Sequence, residues 1–428
     1  MTEHGSQEHR TRIIIAGIAG NVMEWYDFAL YGYFAQIIGR HFFPSEDPTT
    51  SLIASFGAFA AGFLMRPVGA IFFGHIGDKL GRKSALTLSV LMMAIPTFVI
   101  GILPGHAQIG PLAAVLLVIM RMVQGLSVGG EYTTSIVFLV EGAPHGARGL
   151  AGSWSAFGAV AGALLGSAAG AVMSSVLGAD ALYSWGWRVP FLVGLGVGLV
   201  GLFIRRHIPE PQEVETDEPA VHEVQHSPVI QAFRTQGKVM AQVFGLNLLN
   251  AVGFYLIFVY AATYFTDVVH VSAREALDIN TLNMIVLLLL VPTFGALSDR
   301  VGRLPVLCTA AAAIMLFSWP LFWLMHHQDD TLIFLGQLGF TILLGGFFGA
   351  IPVTMAEAFP PQVRCSGLSI TYNLCLGVIG GTTPLVATYL IERTGDDLSP
   401  AFYIMGAAAI TLGASLTLPR HALGSSPG

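Results

Sequence analysis

Apolar runs of bilayer length, separated by short polar turns, recur from one end of the chain to the other. About 20 apolar residues carry a helix across a hydrocarbon core. Windows of that kind fall at 13–39, 51–76, 84–104, 111–140, 149–177 and 185–206, and again at 238–266, 277–297, 305–326, 332–357, 366–391 and 400–419. The one long polar stretch, 207–236, is rich in proline and acid and reads as a linker. The pattern therefore predicts an all-α membrane protein of twelve transmembrane helices in two bundles, 1–206 and 237–428, joined by the linker.

Composition agrees. Of the 428 residues 54% are hydrophobic and 11% charged, against about 25% charged in soluble domains. The net charge of −6 matters less than where the 20 lysines and arginines fall. Most of them, from Arg10 and Arg12 through Lys79, Arg82, Lys83, Arg148, Arg205 and Arg206 to Arg300, Arg303 and Arg364, belong to one side. Arg40, Arg188, Arg274 and Arg393 belong to the other. Positive residues accumulate in the cytoplasm, so both termini and the linker are expected there. Cys308, Cys365 and Cys375 lack metal spacing and read as small packing residues. His326-His327 with Asp329-Asp330 read as a solvated loop.

Five charges interrupt the apolar windows: Glu24, Asp27, Arg66, Arg121 and Glu131. Each costs about 2.5–3.5 kcal/mol at a helix centre on insertion scales, so each needs a partner or a task. Spacing puts Asn21, Glu24, Asp27 and Tyr31 on one helical stripe. Three acids against two arginines leave one carboxyl without a cation, and desolvation makes such a carboxyl protonatable near neutral pH. Asp27 or Glu24 is the expected proton carrier, with Glu131 third. Arg121, ten residues into its window and so near mid-membrane, is expected to hold a substrate carboxylate, alone or with Arg66. Gln124 lies one turn along from it.

The halves repeat. Gly74-x-x-x-Asp78-Lys79-x-Gly81-Arg82 returns as Gly295-x-x-x-Asp299-Arg300-x-Gly302-Arg303, and Glu141-x-x-Pro144-x-x-x-Arg148 returns as Glu357-x-x-Pro360-x-x-x-Arg364. Windows one and seven align loosely, matching Asn21 with Asn250, Tyr26 with Tyr255 and Tyr31 with Tyr260, but Glu24 and Asp27 face Gly253 and Leu256. Asn250 and Tyr255 are thus the second-half residues expected to touch substrate, with Asn280 and Asn283 weaker candidates. Parallel repeats of this kind place substrate near the midplane.

These loops resemble those of the major facilitator superfamily. Gly20-Asn-Val-Met-Glu-Trp-Tyr-Asp27, Phe63-Leu-Met-Arg-Pro-Val-Gly69, Arg121-Met-Val-Gln-Gly-Leu-Ser-Val-Gly-Gly-Glu-Tyr132 and Trp185-Gly-Trp-Arg-Val-Pro190 are similar to its metabolite:proton symporter family, which includes proline/betaine, citrate, α-ketoglutarate and shikimate carriers. The resemblance implies the major facilitator fold. It also implies that Gly74, Asp78, Arg82, Asp299 and Arg303, with Glu141, Arg148, Glu357 and Arg364, latch the halves on the cytoplasmic side. Expected, then, is a proton-coupled carrier importing a small carboxylated metabolite by alternating access. A zwitterion such as proline or betaine is the alternative, and an uncoupled facilitator or channel the other class. The sequence contains no HExxH, GxSxG or P-loop motif and no repeated filter, so an enzyme is not expected. Nor is a cofactor beyond the coupling proton, or a nucleic-acid partner. The expected setting is the bacterial cytoplasmic membrane, with the monomer as the working unit.

Overall fold

Among the described residues helix occurs in each of the twelve windows of the computed structural model, which describes residues 18, 20–80, 82–207 and 228–418. Side chains at 74–86, 145, 204–207 and 228–231 lie outside the described residues, and so do the sequence-predicted roles of Gly74, Asp78 and Arg82. Helix α1 runs over 20–33 and, past a turn at Phe34, over Ala35–Phe42. Then follow α2 (Pro48–Leu64, continued as Arg66–Leu80), α3 (Arg82–Ile102), α4 (Leu112–Ser127, then Glu131–Glu141), α5 (Arg148–Val176) and α6 (Arg188–His207). The second half holds α7 (Pro228–Phe254, prolonged through Tyr255–Val259), α8 (Ala273–Val301), α9 (Arg303–Met325), α10 (Asp330–Ala358), α11 (Arg364–Cys375, then Thr383–Thr394) and α12 (Ser399–Thr417).

Among the described residues nine helices are long and apolar enough to cross a membrane, and ten if the bent pair Ala179–Gly186 and Arg188–Phe203 makes one span. The other two windows hold α1 and α3, whose apolar part is Thr87–Ile102. Large apolar side chains point outward along these helices: Ile71 is 74% exposed and Val176 72%. That is a surface for lipid.

Three boundaries differ from expectation, each with a local cause. The linker is shorter than 207–236, because α7 already begins at Pro228 and kinks at Gln236. Proline suits a first helical turn, where its missing N–H has no partner to lose. Window two breaks at Met65, since Pro67 supplies no N–H to continue the ladder. Window four breaks at Val128-Gly129-Gly130, so Glu131 opens a new segment instead of lying inside a continuous helix.

Small residues set the closest contacts. A Cβ on Gly125 of α4 would run into the carbonyl of Gly62 on α2, so only glycine lets the helices carrying Arg121 and Arg66 lie this close. Across the halves, a Cβ on Gly149 of α5 would lie 2.5 Å from the carbonyl oxygen of Gly295 on α8.

Candidate functional site

Four of the five intramembrane charges come together in pairs. Glu24 of α1 meets Arg66 of α2 at 3.0 Å, and Asp27 meets Arg121 of α4 at 2.9 Å. All four side chains are buried, Arg121 completely. Glu131 stands outside both pairs, at the start of the segment beyond the glycine break. The stripe read from sequence thus resolves into two acids that each hold an arginine from a neighbouring helix. Buried pairs persist only when further hydrogen bonds offset their desolvation, and these have them. Thr97 of α3 donates to Asp27 Oδ1 at 2.6 Å, while Gln124 donates to Thr97 and accepts from Arg121 Nη1 at 2.8 Å. Arg66 Nε donates to Asn373 Oδ1 of α11 at 3.2 Å, joining the second half to the layer.

Aromatic faces enclose the cations. The Arg121 guanidinium carbon lies 4.4 Å from the ring centre of Tyr31, 4.8 Å from Phe28 and 5.5 Å from Phe59. Arg66 sits 5.3 Å from Phe63 and 5.8 Å from Phe28. Cation–π contacts of this kind suit a guanidinium away from water. Even so, the arginines keep capacity in reserve. Arg66 Nη1 and Arg121 Nε and Nη2 are buried donors without a hydrogen-bond partner.

The other sequence candidates divide. Tyr31 is in the layer through its ring and donates its hydroxyl proton to the Ser55 carbonyl. Tyr255 is buried and stacks on Trp25, with centroids 6.0 Å apart. Asn250 is not brought to the layer; it donates to Asn247, which donates in turn to Met355 sulfur. Asn21 bonds Ser135 and the Ser155 carbonyl and so ties α1 to its own half. Trp25, Thr97 and Tyr132 escaped the sequence reading. Trp25 lies between the two acids, off the stripe that drew attention. Thr97 follows a proline in a window that also holds Ser84, Thr87 and Ser89, so one more hydroxyl reads as ordinary helix packing.

Asn280 and Asn283 of α8 form a second polar cluster. Asn280 donates to the Phe258 carbonyl and Gln337 of α10 to the Ile257 carbonyl, in the stretch of α7 wound as a π-helix. Gln337 also bonds both asparagines, and Thr341 donates to Asn283. The wider π turn leaves carbonyls short of backbone donors, and side-chain amides supply them.

At the basic end the duplicated loops engage across the halves. Arg364 meets Glu141 at 2.6 Å, and Arg148 meets Glu357 at 3.7 Å, a reciprocal exchange between the two E-x-x-P-x-x-x-R copies. Arg303 bridges Asp299 at 2.8 Å and Glu357 at 3.5 Å. Asp299 accepts from the backbone N–H groups of Gly149 and Leu150, at 2.7 and 2.9 Å. A carboxylate at a helix N-terminus satisfies orphan donors and meets the positive end of the dipole. At the far end Gln36 donates to Asp267 at 2.6 Å, again between halves. The halves therefore touch on both sides of the buried layer.

Two pseudo-equivalent bundles around a buried charged layer describe a transport protein, and the comparisons agree. Residues 13–213 match the sugar (and other) transporter family and 243–426 the Major Facilitator Superfamily. The chain belongs to the major facilitator superfamily of transporters. Within it, the chain is similar to the glycine betaine/proline/ectoine/pipecolic acid transporter OusA of Dickeya dadantii, at 36% identity over 94% of this chain and 81% of that protein. It is likewise 35% identical to the proline/betaine transporter of Salmonella typhimurium, over 96% of this chain and 84% of that one. Among solved structures the D-xylose-proton symporter shares the fold, with TM-score 0.77 and 18% identity over 97% of this chain and 99% of that one.

Proposed function

We propose that this protein carries a small zwitterionic osmolyte, of the proline or betaine type, together with a proton by alternating access. The observation that supports it most is the pairing of Glu24 with Arg66 and Asp27 with Arg121 beside arginine N–H groups that still lack an acceptor. Both ends of a zwitterion then find a counter-charge in one layer. The relatives named for proline and betaine favour this reading over the organic anion that two arginines alone suggested.

The coupling follows from competition. A substrate carboxylate arriving at Arg121 displaces Asp27, and a buried carboxylate stripped of its cation takes up a proton. Glu24 and Arg66 work the same way toward the other end of the substrate. Glu131 serves as the reserve proton site. In this reading the basic end faces the bacterial cytoplasm, with both termini and the linker on that side. The latch of Asp299, Arg303, Glu357, Arg148, Glu141 and Arg364 opens and closes that face, and the monomer is the working unit.

Proteoliposomes test it. A zwitterion moved with one proton carries one net charge, so uptake rises with both an inward proton gradient and an inside-negative potential. Saturable proline or betaine uptake that collapses with a protonophore supports the proposal. Flux linear in concentration and indifferent to the gradient overturns the carrier. Uptake of citrate or α-ketoglutarate without either zwitterion overturns the substrate.

A further inference from the structure

Next to the ion pairs stand four aromatic side chains, one from each of four helices. Trp25 of α1 stacks on Tyr255 of α7, centroids 6.0 Å apart and planes at 20°. Tyr132 of α4 stacks on Tyr372 of α11 at 4.9 Å and 22°. The two stacks touch, since Trp25 and Tyr132 lie 6.0 Å apart, and all four rings are buried, with at most 5% exposed. Each stack joins one half of the molecule to the other.

Packing alone does not account for this choice of residues. Trp25 Nε1 and the Tyr255 hydroxyl are buried without hydrogen-bond partners, a penalty that leucine or phenylalanine at the same positions would avoid. What tryptophan and tyrosine offer instead is an electron-rich face for a cation, tryptophan above all. Against an N–H-bearing ammonium the same walls are poor, because its protons need hydrogen-bond acceptors that ring faces do not provide, and Glu24, once it parts from Arg66, supplies a counter-charge but only one carboxylate. A quaternary ammonium has no such need.

We propose that the substrate's ammonium end is received between these four rings, with its carboxylate on the arginine N–H groups, so that the carrier prefers quaternary, N-methylated zwitterions to proline-like ones. This rests on the zwitterion reading above. The faces of each stack are too close to admit a methylated nitrogen, so the rings part to receive it. Because every stack bridges the halves, parting them moves one half against the other, and substrate occupancy is thereby tied to the alternation itself.

The test compares glycine betaine with proline in proteoliposomes, measuring KM for each. Trp25→Leu, Tyr255→Leu and Tyr372→Leu should each raise the betaine KM about tenfold and the proline KM less than about threefold, from the loss of a cation–π wall. Tyr255→Phe keeps the ring and should leave the betaine-to-proline ratio within about twofold. Where a leucine variant fails to insert, Trp25→Phe gives the same reading through a smaller change, about threefold for betaine alone. Equal losses for both substrates, or none for either, overturn the cage while leaving the carrier standing. Wild-type protein that moves neither zwitterion overturns the functional reading, and the cage with it.

Discussion

Two buried polar clusters, one in each half, are built to opposite ends. The amide cluster of α7, α8 and α10 is closed: both N–H bonds of Gln337 are used, on Ile257 and Asn280, and its oxygen accepts from Asn283. Asn280 is likewise spent on Phe258, Ser167 and Gln337. The charged layer of α1, α2 and α4 is open, because Arg66 and Arg121 hold their carboxylates and still keep donors unmatched. A saturated network rigidifies what it touches. A network with buried donors left over is costly unless something else fills them. The difference, more than polarity, is what makes the charged layer the candidate site, since both clusters are buried.

The comparison can be broken by experiment, most strongly at the open cluster. Asp27→Asn should abolish proton-driven accumulation while downhill exchange persists; full accumulation in that variant moves the proton to Glu24 or Glu131. Arg66→Ala removes a charged donor set worth about 1.5–3 kcal/mol, so the substrate KM should rise by roughly 10- to 150-fold. An unchanged KM removes Arg66 from the site. At the closed cluster, Gln337→Leu leaves the Ile257 carbonyl unsatisfied. It should lower stability by about 1–3 kcal/mol, read as thermal unfolding in detergent, and slow the maximal rate with KM nearly unchanged. A large KM effect there would mean that the amide cluster binds substrate after all.

Smaller effects belong to the ends of the helices. Asp299→Ala removes the acceptor for Gly149 and Leu150 N–H, worth about 1 kcal/mol by analogy with a helix cap, and should raise labelling of single cysteines at the basic end several-fold. Ser272→Ala breaks the capping box at the start of α8, in which Ser272 and Glu275 bond each other's backbone N–H, at about 1 kcal/mol. Ahead of α2, hydrogen bonds from the Thr50 hydroxyl and backbone, with a lesser one from Thr49 N–H, hold the Asp47 carboxyl below its usual range. That cap is therefore complete at neutral pH and fades as pH falls through the folded-state value. A cap contribution that instead grew in acid would contradict the sign.

Much of the candidate site was legible in the sequence because charge in an apolar window is expensive and so conspicuous. Glu24, Asp27, Arg66 and Arg121 all announced themselves in this way, and all four meet. Tyr31 and Gln124 came with them by helical spacing. Asn250 is not joined to the charged layer, because the alignment of α1 with α7 transfers position and not environment: its neighbour Asn247 sits one turn away and takes the bond. Trp25, Tyr132 and Tyr372 are ordinary membrane-helix residues one at a time, and nothing along the chain brings them together.

Hydropathy period, basic-residue bias and the duplicated loops predicted the helical windows and a division into halves, and the motifs that resemble a known family predicted a transporter. Those properties are local, or repeat at fixed offsets, and a linear reading captures them. Which acid holds which arginine, which carbonyls of α7 are taken by amides, and which donors are left over were decided only when distant helices packed. Arg66 and Asn373 stand 307 residues apart, and Trp25 and Tyr255 belong to opposite halves. Satisfaction of a buried polar atom is a property of its surroundings, so the choice between site and scaffold is made in three dimensions.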